Sequence, residues 1–402
     1  TELLVKEKFP SKNLLVPFFK KNNKNKIRIG YYSSDLYSHA VGHLVAGLFE
    51  LHNKNQYEIV AFSFKPIKND SIRERLEKSF DKFIEVINVS DKEVAKLSRA
   101  LNIDISVDLM GHTGEARTGI FAYRAAPIQV NYLGYPGTMG ASYIDYIIAD
   151  PILIPPEFQE FYTEKVVYLP HSYQANDGKR EISERKFSRA EVGLPEKGFV
   201  FCCFNNNYKI LPETFDIWMR LLHAVDQSIL WLLEDNPTAA ENLRIEAGQR
   251  GIDPSRLVFA QRLPSAEHLA RHALADLFVD TFPYNAHTTA SDALWAGLPL
   301  ITLQGESFAS RVASSLLLAI GLPELITHTL EEYEALAIEL AMDPQKLAFI
   351  KQKLVNNRLT TPLFDTSQFT KHLENAYQQM YDRYQADLAP EHIYVNRIEN
   401  KL

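Results

Sequence analysis

The chain has 402 residues, 46% of them hydrophobic, 23% charged and 11% aromatic, with 17 Gly and 20 Pro, a balance that excludes disordered, collagen-like and low-complexity classes. Its length suits two domains that each bury a core, and 43 Lys+Arg against 50 Asp+Glu leave a net charge of −7, so no global positive field holds a nucleic-acid backbone and an anionic ligand needs a local site. The two cysteines, Cys202 and Cys203, are adjacent and have no other thiol to pair with, which excludes a disulfide scaffold and points to a reducing, cytoplasmic compartment.

Residues 1–26 contain Lys6, Lys8, Lys12, Lys20, Lys21, Lys24 and Lys26, which interrupt any signal-peptide core and suggest a linker-like N-terminal segment. No apolar run approaches the ~20 residues of a bilayer helix, so no membrane partner is expected. Strand-like runs at 27–32, 57–64, 103–109, 128–133 and 146–149 follow, with helical spacing at 71–82 and 91–101. This is the alternation of a parallel α/β sheet, with Ser90 or Asp91 as an N-cap, and it predicts a Rossmann-like lobe over 27–170. The polar stretch 171–196 reads as an inter-lobe linker.

A second series of apolar runs, 199–204, 229–233, 257–260, 277–280 and 300–303, is separated by helical stretches at 212–224, 239–250, 266–274 and 288–296. It predicts a second Rossmann-like lobe over 197–364. Residues 365–386 carry Phe369, Leu373, Ala376, Tyr377 and Met380 near 3.6-residue spacing, an amphipathic helix expected to cross the lobes. Residues 387–402 read as a frayed tail. The expected fold is therefore α/β, two doubly wound lobes with a cleft between them, and chemistry is expected in loops that follow strands.

Four such loops stand out. In the loop from Tyr31 to His43, His39 and His43 lie four apart and would share a helix face. Metal ligation is poorly supported, since no Glu follows His39 and no third ligand is near. His39 reads as a proton-handling or hydrogen-bonding group, and His43 equally well as packing. The stretch from Asp108 to Arg117, with the later glycines 134, 137 and 140, offers tight turns or close backbone approach to a ligand. In Phe204-Asn-Asn-Asn-Tyr-Lys209 the amides favour a turn, and Lys209 either neutralises a phosphate or is simply solvated. The stretch from Asp280 to Pro299 runs from strand through loop into a helix. Thr288 and Thr289 begin that helix, Asp292 is spaced as in a capping box, and Gly297 and Pro299 close it. A well-capped helix and a phosphate site at a helix start both fit. Dinucleotide, P-loop and serine-elbow motifs are missing.

Taken in order, Ile29-Gly-Tyr-Tyr-Ser-Ser-Asp-Leu with His39, Ala126-Pro-Ile-Gln-Val-Asn-Tyr-Leu-Gly-Tyr-Pro-Gly-Thr138, Phe204-Asn-Asn-Asn-Tyr-Lys209, His287-Thr-Thr-Ala-Ser-Asp-Ala-Leu-Trp-Ala-Gly-Leu-Pro299, Gly305-Glu-Ser-Phe-Ala-Ser-Arg-Val-Ala-Ser314 and Pro362-Leu-Phe364 resemble the catalytic region of the O-GlcNAc transferase family, over residues 27–385. The resemblance implies a glycosyltransferase B fold and an inverting, metal-independent transfer of N-acetylglucosamine from UDP to Ser or Thr hydroxyls of protein. Its partners would be a nucleotide-sugar donor and a protein or peptide acceptor, with no cofactor, no metal and no nucleic acid. It implies that Lys209 contacts the diphosphate, with Asn206 beside it. His287, Thr288 and Thr289 would hold diphosphate and sugar, Asp292 the ribose, His268 and Arg271 the base, and Leu133 and Gly134 the sugar-side wall. His39 matches a proposed general base and Arg117 an arginine needed for activity. Tyr284 stands where the animal enzyme has a small Cys beside the N-acetyl group. The family's N-terminal tetratricopeptide superhelix is expected to be represented only by its linker, in 1–26. Alternatives within the fold are a protein O-fucosyltransferase using GDP-fucose and a glucosyltransferase using UDP-glucose; outside it, a nucleotide-sugar-binding interaction module.

Overall fold

The computed structural model describes residues 1–11, 18 and 26–397, so 12–17 and 19–25 of the N-terminal segment and 398–402 of the tail lie outside the described residues. The chain divides into two compact units, Thr1–Gly178 with Asp365–Leu402 and Lys179–Phe364.

In the first unit, strands β1 (Ile27–Ser33), β2 (Tyr57–Ser63), β3 (Lys82–Glu85), β4 (Ile105–Asp108), β5 (Ile128–Asn131), β6 (Tyr146–Ala149) and β7 (Lys165–Tyr168) are all parallel. The second unit contains β8 (Val200–Cys203), β9 (Ile229–Leu233), β10 (Leu257–Ala260), β11 (Leu277–Val279), β12 (Leu300–Leu303) and β13 (Ile326–Thr327), also parallel. A last strand, β14 (Ile393–Tyr394), returns to the edge of the first sheet beside β7. The central strands are buried on both faces, which is why they read as near-continuous runs of Ile, Val, Phe and Tyr rather than as alternating patterns. On the β1–β2 face the Tyr32 and Phe62 rings stack at 4.4 Å, and the Tyr32 hydroxyl donates to Ser98 Oγ at 2.6 Å.

The strand orders are β14-β7-β6-β5-β4-β1-β2-β3 and β10-β9-β8-β11-β12-β13. In each sheet the winding reverses at the first strand, so β1 lies between β4 and β2, and β8 between β11 and β9. Loops leaving β1 and β4 therefore emerge side by side, as do those leaving β8 and β11, at the switch points where open α/β sheets bind ligands.

Several elements differ from the sequence expectations. The helix expected over 71–82 ends at Ser79, and Lys82–Glu85 forms the edge strand β3; the charges that make it read as helical are what an edge strand carries to discourage further pairing. Ser90, not Asp91, is the cap, accepting from Glu93 N at 3.3 Å. Residues 172–177 of the expected linker are buried in the first unit, where the Asp177 carboxylate meets Arg75 Nη1 at 2.5 Å. The helix expected to cross the lobes, Thr366–Gln385, completes the first unit. Its Tyr377 hydroxyl accepts from Tyr31 Oη at 3.2 Å, and Glu374 supplies its carbonyl to Tyr57 Oη at 2.9 Å. The expected frayed tail contains β14, where Tyr394 stacks on Tyr168 at 4.8 Å.

The turn after β5 shows where glycine is obligatory. Leu133 is held at φ 68°, and a Cβ on Gly134 would lie 1.9 Å from the Leu109 carbonyl oxygen. Backbone that close cannot move aside cheaply, so Gly134→Ala is expected to destabilise the protein by about 1–3 kcal/mol. Gly114→Ala, whose Cβ would meet nothing within 4 Å, is expected to stay within about 0.5 kcal/mol of wild type. Urea midpoints of the two variants check the contrast.

Candidate functional site

The second unit builds its site around Asp280, the residue that follows β11. Its buried carboxylate accepts from Thr281 N at 2.8 Å, Ala286 N at 2.6 Å and Asn205 Nδ2 at 3.3 Å through Oδ1, and from Thr302 Oγ1 at 2.7 Å through Oδ2. Burial raises its pKa to about 6, against the pull of these hydrogen bonds and of Lys209. Asn205, the first residue after the β8 run, also donates to Thr281 Oγ1 at 2.8 Å and accepts from the Thr289 hydroxyl. The loops leaving β8 and β11 are thus sewn together by the buried Asp280, Asn205 and Thr281 with Thr289.

Lys209 rides on this frame. Its ammonium donates to the Asn285 carbonyl at 2.8 Å and sits 3.9 Å from the centre of the Tyr284 ring, which itself stacks on His287 at 5.0 Å. Burial lowers the Lys209 pKa to about 8, partly offset by Asp280. His287 donates through Nε2 to the Ala309 carbonyl at 3.2 Å, and burial, followed by the nearby Lys209, lowers its pKa to about 3. His287 therefore stays neutral and leaves the cationic role to Lys209. Asn206 is half-buried and donates to Tyr208 Oη at 3.4 Å.

The helix Thr288–Ala296 starts without any side-chain cap and ends at Gly297 in the left-handed region, φ 85°. The capping box expected from Thr289 and Asp292 does not form. Both side chains are drawn into tertiary contacts instead: Thr289 to Asn205, and Asp292 to the guanidinium of Arg180. The first-turn N–H groups thus lack the oxygen a capped helix would supply, and an anion can take its place.

Of the residues expected at the base, His268 lies on the helix Ser265–Arg271 and packs against Phe204 at 5.2 Å. Arg271 is buried: it donates through Nη2 to His268 Nδ1 at 2.5 Å and through Nη1 to the Gln261 carbonyl at 2.5 Å, with its guanidinium 4.5 Å from the Phe204 ring centre. Its guanidinium is thus bonded to His268 and to the Gln261 carbonyl. Burial, then the cations around it, keep His268 neutral, its pKa well below the ordinary histidine value.

In the first unit His39 caps the helix Ala40–Leu51, its Nδ1 accepting from Val41 N at 3.4 Å and lying 3.6 Å from Asp35 Oδ2. Arg117 is committed to protein groups: Nε and Nη2 reach Asp91 Oδ1 at 2.9 and 2.7 Å, Nη1 the Val86 carbonyl at 2.8 Å, and Nη2 the Val89 carbonyl at 2.5 Å. It clamps the loop before the helix Asp91–Ala100. Leu133 and Gly134 form the strained turn against Leu109 described above. No group of three or more His, Cys, Asp or Glu among the described residues is placed to hold a metal ion, and no helix among them is long and apolar enough to cross a membrane.

In the sequence Asn205 reads only as a turn former and Asp280 only as the start of its motif, although each is the polar residue that follows an apolar run. Arg180 left no signal at all, because it sits in a stretch with no periodicity.

A family model described as Glycosyl transferase family 41 matches residues 12–187 and 181–373. An Arabidopsis thaliana protein named probable UDP-N-acetylglucosamine–peptide N-acetylglucosaminyltransferase SEC is 39% identical over 393 residues, which cover 96% of this chain and 40% of that protein. The Caenorhabditis elegans UDP-N-acetylglucosamine–peptide N-acetylglucosaminyltransferase is 30% identical over 488 residues, 93% of this chain and 42% of that protein. The chain thus spans about two fifths of the length of these curated relatives. A solved structure of a variant O-GlcNAc transferase from Thermobaculum terrenum aligns with TM-score 0.87 and 32% identity, over 96% of this chain and 74% of that one. A glycosyltransferase from Rickettsia africae, with TM-score 0.55 and 11% identity over 89% of this chain and 99% of its own, shares the fold alone. The two parallel doubly wound sheets are those of the glycosyltransferase B fold. Likeness in sequence along nearly the whole chain, together with a backbone that follows that of a solved member, shows that this chain belongs to glycosyl transferase family 41.

Proposed function

We propose that this chain transfers a sugar, N-acetylglucosamine from UDP, to Ser or Thr hydroxyls of a protein acceptor, with inversion at the anomeric carbon. The observation that carries the reading is the pairing of Lys209 with the uncapped start of Thr288–Ala296 on two adjoining loops of the second switch point. The names of the relatives agree with it. In the reaction the acceptor oxygen bonds to the anomeric carbon while the bond to the β-phosphate oxygen breaks, and its electron pair leaves with UDP. Lys209 and the helix-start N–H groups face the charge that grows on the diphosphate. These are protein groups, so the transfer proposed here needs no divalent metal.

The proton of the acceptor hydroxyl goes to His39 Nε2 in this reading. For Nε2 to accept, the ring must hold its own proton on Nδ1, which gives up the Val41 N–H and donates instead to the Asp35 carboxylate 3.6 Å away. Arg117 supports activity by fixing its loop, and Asp292 receives ribose hydroxyls. Release of UDP with glycosylation of a Ser/Thr peptide, followed by mass spectrometry, tests the proposal; binding of UDP-N-acetylglucosamine without turnover would leave an interaction module.

Lys209→Ala should weaken UDP binding by about 1–3 kcal/mol. The Lys209 pKa near 8 adds a pH signature. The ammonium is charged below that value and neutral above it, so UDP affinity should be full on the acid side and fall as pH rises; bound diphosphate stabilises the ammonium and moves the loss upward. Calorimetry from about pH 7 to about pH 9.5 should show this slope in wild type and a flat, weaker profile in Lys209→Ala.

Donor choice turns on Tyr284, whose ring fills the space between Lys209 and His287. Tyr284→Cys should shift the ratio of kcat/KM for UDP-N-acetylglucosamine over UDP-glucose upward, by up to about 1–3 kcal/mol. An unmoved ratio means that the ring serves Lys209 alone. EDTA should leave turnover intact; loss restored by Mg²⁺ or Mn²⁺ would overturn the metal-free step.

A further inference from the structure

We infer that Arg180 is a positioning residue for ribose recognition, acting through Asp292; the inference rests on the UDP-site reading above and extends it to a residue of the stretch expected to be a linker. Arg180 lies outside any helix or strand, yet its side chain is 6% exposed, less than the 16% of its partner. Nη1 holds Asp292 Oδ1, and Nη2 donates to the Ser291 carbonyl at 3.4 Å, so the fork grips the helix Thr288–Ala296 at both the side chain and the backbone.

The backbone of Arg180 is pinned as well. Its carbonyl accepts from Trp295 Nε1 at 3.1 Å, one turn further along the same helix, and Trp295 is in turn fixed by Arg358, which donates to its carbonyl at 2.8 Å. Downstream, Ser183 N donates to the Ala266 carbonyl at 3.0 Å and Arg185 Nη1 reaches Glu267 Oε2 at 3.0 Å. Both partners lie on the helix Ser265–Arg271, which carries His268. The segment 180–185 is therefore fastened to the ribose-side helix at one end and to the base-side helix at the other.

The consequence for Asp292 is chemical. A carboxylate near a helix start rotates freely unless something occupies one oxygen. Arg180 occupies Oδ1, leaving Oδ2 without a hydrogen-bond partner among the described residues and fixed in direction. Two ribose hydroxyls are donors, and an oriented carboxylate oxygen is the acceptor they require. Arg180 also keeps a buried Nε without a partner among the described residues, a second group at this position that an ordered hydroxyl can satisfy. A lysine would supply charge but not the two-pronged grip.

The test compares UDP with 2′,3′-dideoxy-UDP by calorimetry on the full chain. Wild type should prefer UDP by about tenfold or more, the discrimination of a site built to bond a hydroxyl. In Arg180→Ala that preference should collapse toward unity while dideoxy-UDP affinity holds. Asp292→Ala should do the same, and the double variant should lose no more than either alone. Arg180→Lys, which retains the charge and guards against a folding defect in the alanine variant, should show an intermediate preference. A wild-type preference in Arg180→Ala, or equal losses for both ligands, would overturn the assignment while leaving the UDP site standing. A wild-type protein that binds neither ligand overturns the UDP-site reading, and this assignment with it.

Discussion

Asp280 is a carboxylate at the buried end of a strand, and the second unit's site is organised by the need to satisfy it. Leaving an ionised carboxyl out of water costs several kcal/mol unless hydrogen bonds and a counter-charge repay it. Here Thr281, Ala286, Asn205 and Thr302 supply the hydrogen bonds and Lys209 the charge. Each donor is thereby tied to a position: Ala286 fixes the loop after β11, Asn205 the loop after β8, and Lys209 the cation between them. Burial pushes the two pKa values toward each other, to about 6 for Asp280 and about 8 for Lys209. At neutral pH both remain charged, and the ammonium is held ready by a carboxylate, a carbonyl and an aromatic face. A cation kept in place before a ligand arrives loses little further freedom on binding, which is what the proposed stabilisation of a departing diphosphate requires.

Arginines carry the same logic to the polar segments of both units. Arg117 with Asp91, Arg75 with Asp177 and Glu50, and Arg180 with Asp292 each attach a stretch without regular structure to a helix or a loop at a strand end. Arginine suits this use because its planar fork bonds a carboxylate and a carbonyl at once and stays charged when partly buried. These clamps explain why stretches of polar composition are nonetheless ordered and why a residue that looks available for chemistry, such as Arg117, is bonded instead to protein groups.

The sheet order sets what the clamps can reach. Because winding reverses at β1 and at β8, two strand-end loops in each unit start as neighbours although 76 residues separate Lys209 from the Asn285 carbonyl it bonds. His39 and the Asp108–Arg117 loop of the first unit owe their placement to the same reversal. Within this frame the Tyr284 ring takes up the room between the cation and His287.

The amino-acid sequence by itself determined the parts of the molecule that depend on local pattern. Doubly buried strands need unbroken apolar runs, and a left-handed helix end favours Gly, so the central strands and the helix end at Gly297 are legible directly. The ordered motifs around Lys209 and His287 were legible because they follow such strands. What the tertiary structure decided are the matters in which a residue's partner is remote. β3 and β14 are short edge strands whose identity comes from a neighbour, not from their own periodicity. Thr289 and Asp292 have capping-box spacing, but Asn205 and Arg180 offered partners that the helix start did not. Residues 172–177, polar in composition, are buried because the helix Thr366–Gln385 and Arg75 satisfy them from far along the chain. Periodicity reports which face of an element meets the core; it contains no information about which distant donor or acceptor will satisfy a given polar group, and on that the arrangement of the site depends.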